Sequence, residues 1–342
     1  MPKSKKHNIA KAILDAMAAY AAIVLVLAWQ LPDWIGFSEQ WRTFYWDWEW
    51  VCENAHENGW LQVVSDFFVQ FLANKWSAAL LYALPCLLIW IALSAILKRW
   101  LKGWVLRIAP IAIMLAGAWI FLCNGLQNID SNQRFKGQMC LVGKANWQEI
   151  IKQSQGRTIS NHLELNMLNL ALAETGNLKA HLKDQPSRDV NALFVLKIES
   201  PYVSALLSDI YWSVGEISMS QYYAFEANEK MDNLSPRLLK RLALTNIAFG
   251  HYAVAEKYLK WLDKTLFYSD WSQKCRALLN DKAVEADPVL KLKRRCIPEE
   301  NCFPSTSSIA YDLQQIVAKN PEHTTSQQYL DALLQLYNIV SE

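Results

Sequence analysis

The chain has 342 residues, enough for two domains, with 34 Lys+Arg against 32 Asp+Glu and a net charge of +2. That balance excludes the basic excess typical of a nucleic-acid binder. The near-neutral average hides two halves: residues 1–123 carry Trp29, 34, 41, 46, 48, 50, 60, 76, 90, 100, 104 and 119, twelve of the 16 Trp, while most charges lie beyond them.

In chain order, the first apolar run is "AMAAYAAIVLVLAWQL", which with its lead-in makes an expected membrane span over about 11–31. Its basic start, "MPKSKKHNIAK", suits a signal peptide. The run ends in "AWQLPDW" without a small-residue cleavage site, so an uncleaved anchor is expected. Asp15 sits at its edge four residues from Lys11, an interfacial arrangement.

Residues 32–75 form a Trp-rich loop, "FYWDWEWVCENAHENGWLQVVSDFFVQFLANKW" at its centre. Tryptophans at this density fit an interfacial belt. Asp47 and Glu49, between Trp46, Trp48 and Trp50, with His56, are the candidate catalytic residues of a groove for a sugar or lipid headgroup. In such a groove a ring stacks and a carboxylate accepts hydrogen bonds. Glu53, His56 and Glu57 share a helical face, but spacing supplies no further ligand, and no metal or cofactor is expected. Trp60–Ala73 reads as a short amphipathic helix with Gln62, Asp66 and Gln70 on one polar stripe, suited to the membrane interface.

The second span, "WSAALLYALPCLLIWIALSAIL" (76–97), has 22 residues and no charge, about 33 Å of helix against a hydrocarbon core of about 30 Å. A third is expected over 104–123. Lys3, Lys5, Lys6 and Lys11 precede the first span, and Lys98, Arg99, Lys102 and Arg107 follow the second. The loop of residues 32–75 is acidic. The positive-inside rule then puts the N-terminus in the cytoplasm and everything after residue 123 outside. The expected organisation is a membrane domain over 1–123, a connector and first helix over 124–144, and a helical-repeat domain over 145–342.

In that last region helices end at Gly176, Gly215 and Gly250, spaced 39 and then 35 residues apart, with a weaker unit bending at "KANW". Gly accepts the left-handed backbone that such a bend needs. Aligned on Gly215 and Gly250, Leu207 matches Leu242, Ile217 matches Tyr252 and Ser220 matches Ala255. This resembles the tetratricopeptide repeat, with irregular Trp and Pro positions. The expected fold is therefore all-α: transmembrane helices followed by a tetratricopeptide-like α-solenoid of stacked hairpins, whose concave face takes a protein or peptide partner. Pro201, Pro236, Pro288 and Pro321 fall at or near helix starts. The last helix, "SQQYLDALLQLYNIV", would open a further hairpin whose partner is missing. Seven Cys without a CxxC give no disulfide framework. Cys296 and Cys302, in "CIPEENC", are close enough to bridge outside the cytoplasm. His251–Tyr252 and the basic run Lys293–Arg295 read as a hairpin bend and a solvated face.

"NMLNLALAETGNL", "SPYVSALLSDIYWSVGEISMSQYYAFEAN", "SPRLLKRLALTNIAFGHYAVAEKYLKWLDKTLFYSDW" and "NPEH" together resemble a family of bacterial multi-pass membrane proteins known as a domain of unknown function. The resemblance spans roughly 146–336. It implies spans followed by a repeat-like helical domain, and it brings no catalytic residues; in a bacterium the orientation expected from the basic flanks puts the spans in the inner membrane and that domain in the periplasm. Its members tend to be longer, which implies a shortened member or a fragment. Two functions follow as expectations: a membrane-anchored scaffold or binding protein, or a membrane enzyme or transport component acting on a lipid-linked sugar or envelope precursor at the Trp-acid loop.

Overall fold

The computed structural model describes residues 3–97, 131–182, 189–195, 199–231, 234–298 and 309–340. Every regular element among them is helical. The expected span over 104–123 lies outside these residues, as does Cys302. The chain divides into two compact units, one of residues 1–36 and 71–134, the other of residues 37–70 and 135–342.

In the first unit, α1 (Lys3–Gln30) and α5 (Lys75–Leu97) pack together. Ala79 and Ala83, both fully buried, let the helices approach, and Ile23 and Val24 fill the seam. The Tyr20 hydroxyl donates to the Leu80 carbonyl at 2.9 Å. Elsewhere these helices expose large apolar side chains all round, Leu25, Trp29, Leu88 and Ile96 among them. Ala12–Gln30 and Lys75–Leu97 are each long and apolar enough to cross a membrane. Pro85 removes one N–H from α5 without ending it.

The second unit begins with α2 (Phe37–Trp41), α3 (Trp48–Asn58) and α4 (Trp60–Val69). It resumes from Phe135, within α6 (Ser131–Gly143), and continues with α7 (Trp147–Ser154), then α8 (His162–Glu174) and α9 (Leu178–His181). Next come α10 (Pro201–Ser213) with α11 (Ile217–Glu229) and α12 (Pro236–Phe249) with α13 (Tyr252–Asp263). Pro occupies the first helical position of α10 and α12, where its missing N–H is unneeded.

Four bends share one backbone closure. At Gly250, the His251 N–H donates to the Asn246 carbonyl (2.8 Å) and the Gly250 N–H to the Ile247 carbonyl (3.1 Å). The same crossed pair closes the bends at Gly215, Gly176 and Ala145. It is the Schellman arrangement, and it requires positive φ at the bend residue, which is 79°, 84°, 76° and 52° in turn. Ala145 adopts it without glycine's freedom. Where Ala255 lets α12 and α13 approach, Ser220 performs the same task between α10 and α11. Ser208 and Ser220 exchange hydroxyl-to-carbonyl hydrogen bonds, each of 2.8 Å, so the larger residue is buried without an orphaned polar atom.

The chain departs from a one-dimensional stack after α14 (Ser269–Arg276) and α15 (Asp281–Ala286). In a solenoid each hairpin touches only its neighbours. Here α16 (Pro288–Cys296) packs on α12, while α17 (Ile309–Lys319) pairs with α18 (Thr324–Val340), which packs against α8 and α9. Tyr329 and Leu333 of α18 thereby share a core with Leu170, Phe194 and Ile210. The basic run on α16 is correspondingly not a solvated face. Lys293 is buried and donates to the Ser213 carbonyl at 2.9 Å, and Arg294 donates to the Ile247 and Ala248 carbonyls. Both cap the C-termini of other helices, where a cation also meets the dipole favourably. Only Arg295 of the three is exposed, beside Glu322.

Candidate functional site

Phe37–Gln70 is anchored on the repeat hairpins by long-range contacts. Asp209 of α10 is buried between two guanidiniums of α12: Arg237 reaches Oδ2 at 2.5 Å and Arg241 reaches Oδ1 at 2.8 Å. Burial alone would raise its carboxyl, but the two cations outweigh it and hold it below the usual carboxylate range. Arg237 also donates to Gln40 Oε1 (2.6 Å) and the Met139 carbonyl (2.8 Å), with its guanidinium 5.1 Å from the Trp41 ring centroid. The Tyr45 hydroxyl, wholly buried, donates to the Leu234 carbonyl at 2.6 Å. Glu39 accepts from the Tyr268 hydroxyl at 2.7 Å, and burial raises its pKa to about 7.

These anchors leave a cleft of about 480 Å³, within the range of small-ligand sites. Trp41, Tyr45 and Trp50 line it from the anchored segment, Tyr202 from α10, and Met231 and Leu234 from the α11–α12 connection. The polar wall comes from the α3–α4 hairpin, through Glu53, Asn54, Glu57, Asn58, Gln62 and Asp66, with Arg42 beside it.

Asp66 organises that wall. Arg42 Nε lies 2.6 Å from Oδ1, Gln62 Nε2 donates to Oδ1 at 3.1 Å, and Asn54 Nδ2 donates to Oδ2 at 3.1 Å. Burial raises its pKa, and Arg42, Asn54 and Gln62 pull it partly back. Asn58 in turn donates to Asn54 Oδ1 at 3.0 Å, extending the network along α3. With Arg42 matched to Asp66, the remaining charges of the lining are the exposed carboxylates Glu53 and Glu57. The cleft is thus acidic, amide-rich and aromatic.

The sequence candidates fall differently. Asp47 caps the N-terminus of α3 through the Trp50 N–H (3.1 Å) and pairs with Lys264. The Lys264 ammonium, then the Trp50 N–H, hold its carboxyl below the usual range. Glu49 is exposed in the first turn of α3, and His56 is exposed beyond it; none of the three lines the cleft. Among the described residues no group of three or more His, Cys, Asp or Glu is placed to hold a metal ion. Cys296 is buried against Gly215, and burial raises its thiol to about 11. The Tyr252 hydroxyl donates to Asp281 (2.6 Å) and accepts from Arg294 (2.8 Å), while His251 stacks on Phe249.

A second buried polar group closes the end of α10. Lys293 Nζ lies 3.0 Å from His323 Nε2, and His323 Nδ1 lies 2.5 Å from Ser326 Oγ, which donates to the Val214 carbonyl at 2.7 Å. The Ser326 backbone N–H also donates to His323 Nδ1, at 3.2 Å, so the imidazole links the ammonium to the start of α18. Burial, with Lys293 adjacent, pushes His323 down to about 3, and burial pushes Lys293 down to about 8. The cluster satisfies the helix-end carbonyls of Ser213 and Val214.

The class defined so far is an all-helical protein with two apolar helices of spanning length and a helical unit bearing an acidic aromatic cleft. The chain belongs to the family of unknown function DUF6057, whose profile matches residues 6–137 and 126–338. No curated protein and no solved structure matches it.

Proposed function

We propose that this protein is a membrane-anchored helical binding protein, with its helical unit outside the cytoplasm and the cleft as its binding site. The observation that carries this is the path of residues 37–70. They lie between two helices of spanning length, fold into the helical unit and supply the polar wall of its cleft. Basic residues on the distal flanks of both helices support a cytoplasmic N-terminus. The lining favours a neutral or cationic polar group, such as a sugar ring or an amine-bearing headgroup. Aromatic faces stack on such groups, amides and carboxylates accept their hydrogen bonds, and Glu53 and Glu57 repel a phosphate.

Two measurements test it. In a chain retaining only Cys52, which is exposed on α3, an impermeant maleimide should label intact cells; labelling only after lysis overturns the orientation. In lipid nanodiscs, glucosamine or an N-acetylglucosamine disaccharide should quench or shift Trp fluorescence, and Trp50→Ala or Glu53→Gln with Glu57→Gln should abolish the effect. An unchanged response in those variants removes the cleft from the binding role.

A second reading, a protein-binding scaffold built on the tetratricopeptide-like hairpins, is favoured by Tyr222 and Phe225, both largely exposed on α11. Replacing both with Ala should then lose a crosslinked partner while ligand binding in the cleft persists.

A further inference from the structure

Helix α4 is built inside out. Along its ten residues, Trp60, Leu61, Val64 and Phe68 fall within one helical arc, and all are exposed: Leu61 88%, Val64 49% and Phe68 47%. The opposite arc, turned into the protein, carries Gln62, Asp66 and Gln70 beside Val63 and Val69. Asp66 is 2% exposed, held by Arg42, Asn54 and Gln62, and Gln70, just beyond the helix, is fully buried with its amide donating to the Phe67 carbonyl at 2.8 Å. A surface helix in water has the reverse arrangement. The outward face has no charged side chain, and the Trp60 indole is its one hydrogen-bonding group.

We propose that this face of α4 rests in the interfacial layer of the lipid bilayer. Three observations converge on lipid as the occupant. Polarity is inverted as it is for a helix whose surroundings are less polar than its protein neighbours. Chain continuity ties α4 to a span: in sequence only the turn Gln70–Ala73 and Asn74 separate it from α5, a 23-residue apolar helix. Finally, Trp46 and Trp48, next to the same hairpin, are also exposed, and Trp46 packs edge-on against Phe67 at 6.1 Å. Exposed indoles beside an apolar stripe are the ordinary anchors of the headgroup level.

The inference rests on α5 crossing the bilayer, and the experiment separates the two. A photoreactive benzoylphenylalanine is placed singly at Leu61, Val64 or Phe68 in the full chain. Leu88, exposed on α5, serves as the membrane control, and Lys257, exposed on α13, as the aqueous one. The protein is irradiated in nanodiscs of phosphatidylethanolamine and phosphatidylglycerol, and adducts are read by mass spectrometry. The expected result is phospholipid adducts at 61, 64, 68 and 88 and none at 257. Phospholipid at 88 with none at 61, 64 and 68 overturns the α4 proposal and leaves the membrane anchor standing. Loss of the adduct at 88 overturns the anchor as well. Peptide adducts at 61, 64 and 68, from a second copy or from another part of this chain, overturn lipid as the occupant.

Discussion

At the scale of single residues, the three bend glycines are not equivalent. A Cβ at Gly250 would meet nothing nearer than Arg294 at 3.9 Å, and at Gly176 nothing within 4 Å. At Gly215 it would stand 2.8 Å from Cys296 Sγ. Gly250→Ala therefore carries the cost of left-handed backbone alone, about 1 kcal/mol. Gly215→Ala adds a displaced, packed thiol and should cost about 3 kcal/mol. Urea unfolding in detergent micelles should show this order, and Cys296→Ala should recover part of the Gly215→Ala loss. Glu39 supplies a pH signature. Burial raises its folded pKa from 4.5 to about 7, against the pull of the Tyr268 hydroxyl and Lys240. Its stabilising contribution is therefore fully present below pH 4.5 and is lost as pH rises through 7, a difference of about 3 kcal/mol. His323 has the opposite sign, since its lowered pKa makes the fold lose stability as pH falls from 6.5 towards 3. Comparing the native chain with Glu39→Gln cancels His323. The native chain should lose stability relative to the variant between pH 5 and pH 8, and parallel curves would refute the assignment.

At the scale of elements, the buried Asp209–Arg237–Arg241 group and the half-exposed Asp47–Lys264 pair give contrasting expectations. Asp209→Asn leaves two buried guanidiniums without their anion and should destabilise by about 3–5 kcal/mol. It should also loosen Gln40 and Trp41, which Arg237 holds at the edge of the cleft. Asp47→Ala loses a helix cap and a solvent-screened ion pair and should destabilise far less. Thermal unfolding of both variants decides between them. The hairpins themselves were legible. Gly at three bends and Pro at first helical positions are local signals, and local physics acts on them. The cleft was only half legible. The polar stripe Gln62–Asp66–Gln70 is visible in the sequence, but the direction it faces is not, because burial is decided by Arg42 and Asn54 rather than by the stripe. Asp47 and Glu49 drew notice by their tryptophan neighbours, whereas the cleft selects Glu53 and Glu57 one and two turns further along α3. No spacing rule links Glu39 to Tyr268, 229 positions apart.

At the scale of the whole helical unit, closure by the last helices separates this fold from an open stack. Trimming the end of a solenoid removes one repeat and leaves the rest cooperative. Here Ser326 caps the Val214 carbonyl, and Tyr329, Leu330 and Leu333 complete the main core. Removing the chain from Ile309 onward should therefore broaden or abolish the unfolding transition of the remaining helices, measured by circular dichroism in urea. A sharp transition at slightly lower urea would instead mark an open stack. The sequence repeat gave no sign of this return, because pairing of α18 with α8 and α9 depends on surface shape across some 150 residues.

The helical unit is assembled from two stretches separated by the chain of the other unit, and this has a consequence for biogenesis. Glu39 and Tyr45 leave the ribosome long before Leu234 and Tyr268, which complete their hydrogen bonds. At about 5–20 residues per second, roughly 190–230 residues correspond to some 10–45 s of synthesis. Throughout that interval a buried carboxyl, a buried phenol and the inner aromatic face of residues 37–70 wait without their walls. Final folding of the cleft is thus a late event, timed by translation of α12 and the turn after α13 rather than by insertion of the first apolar helix.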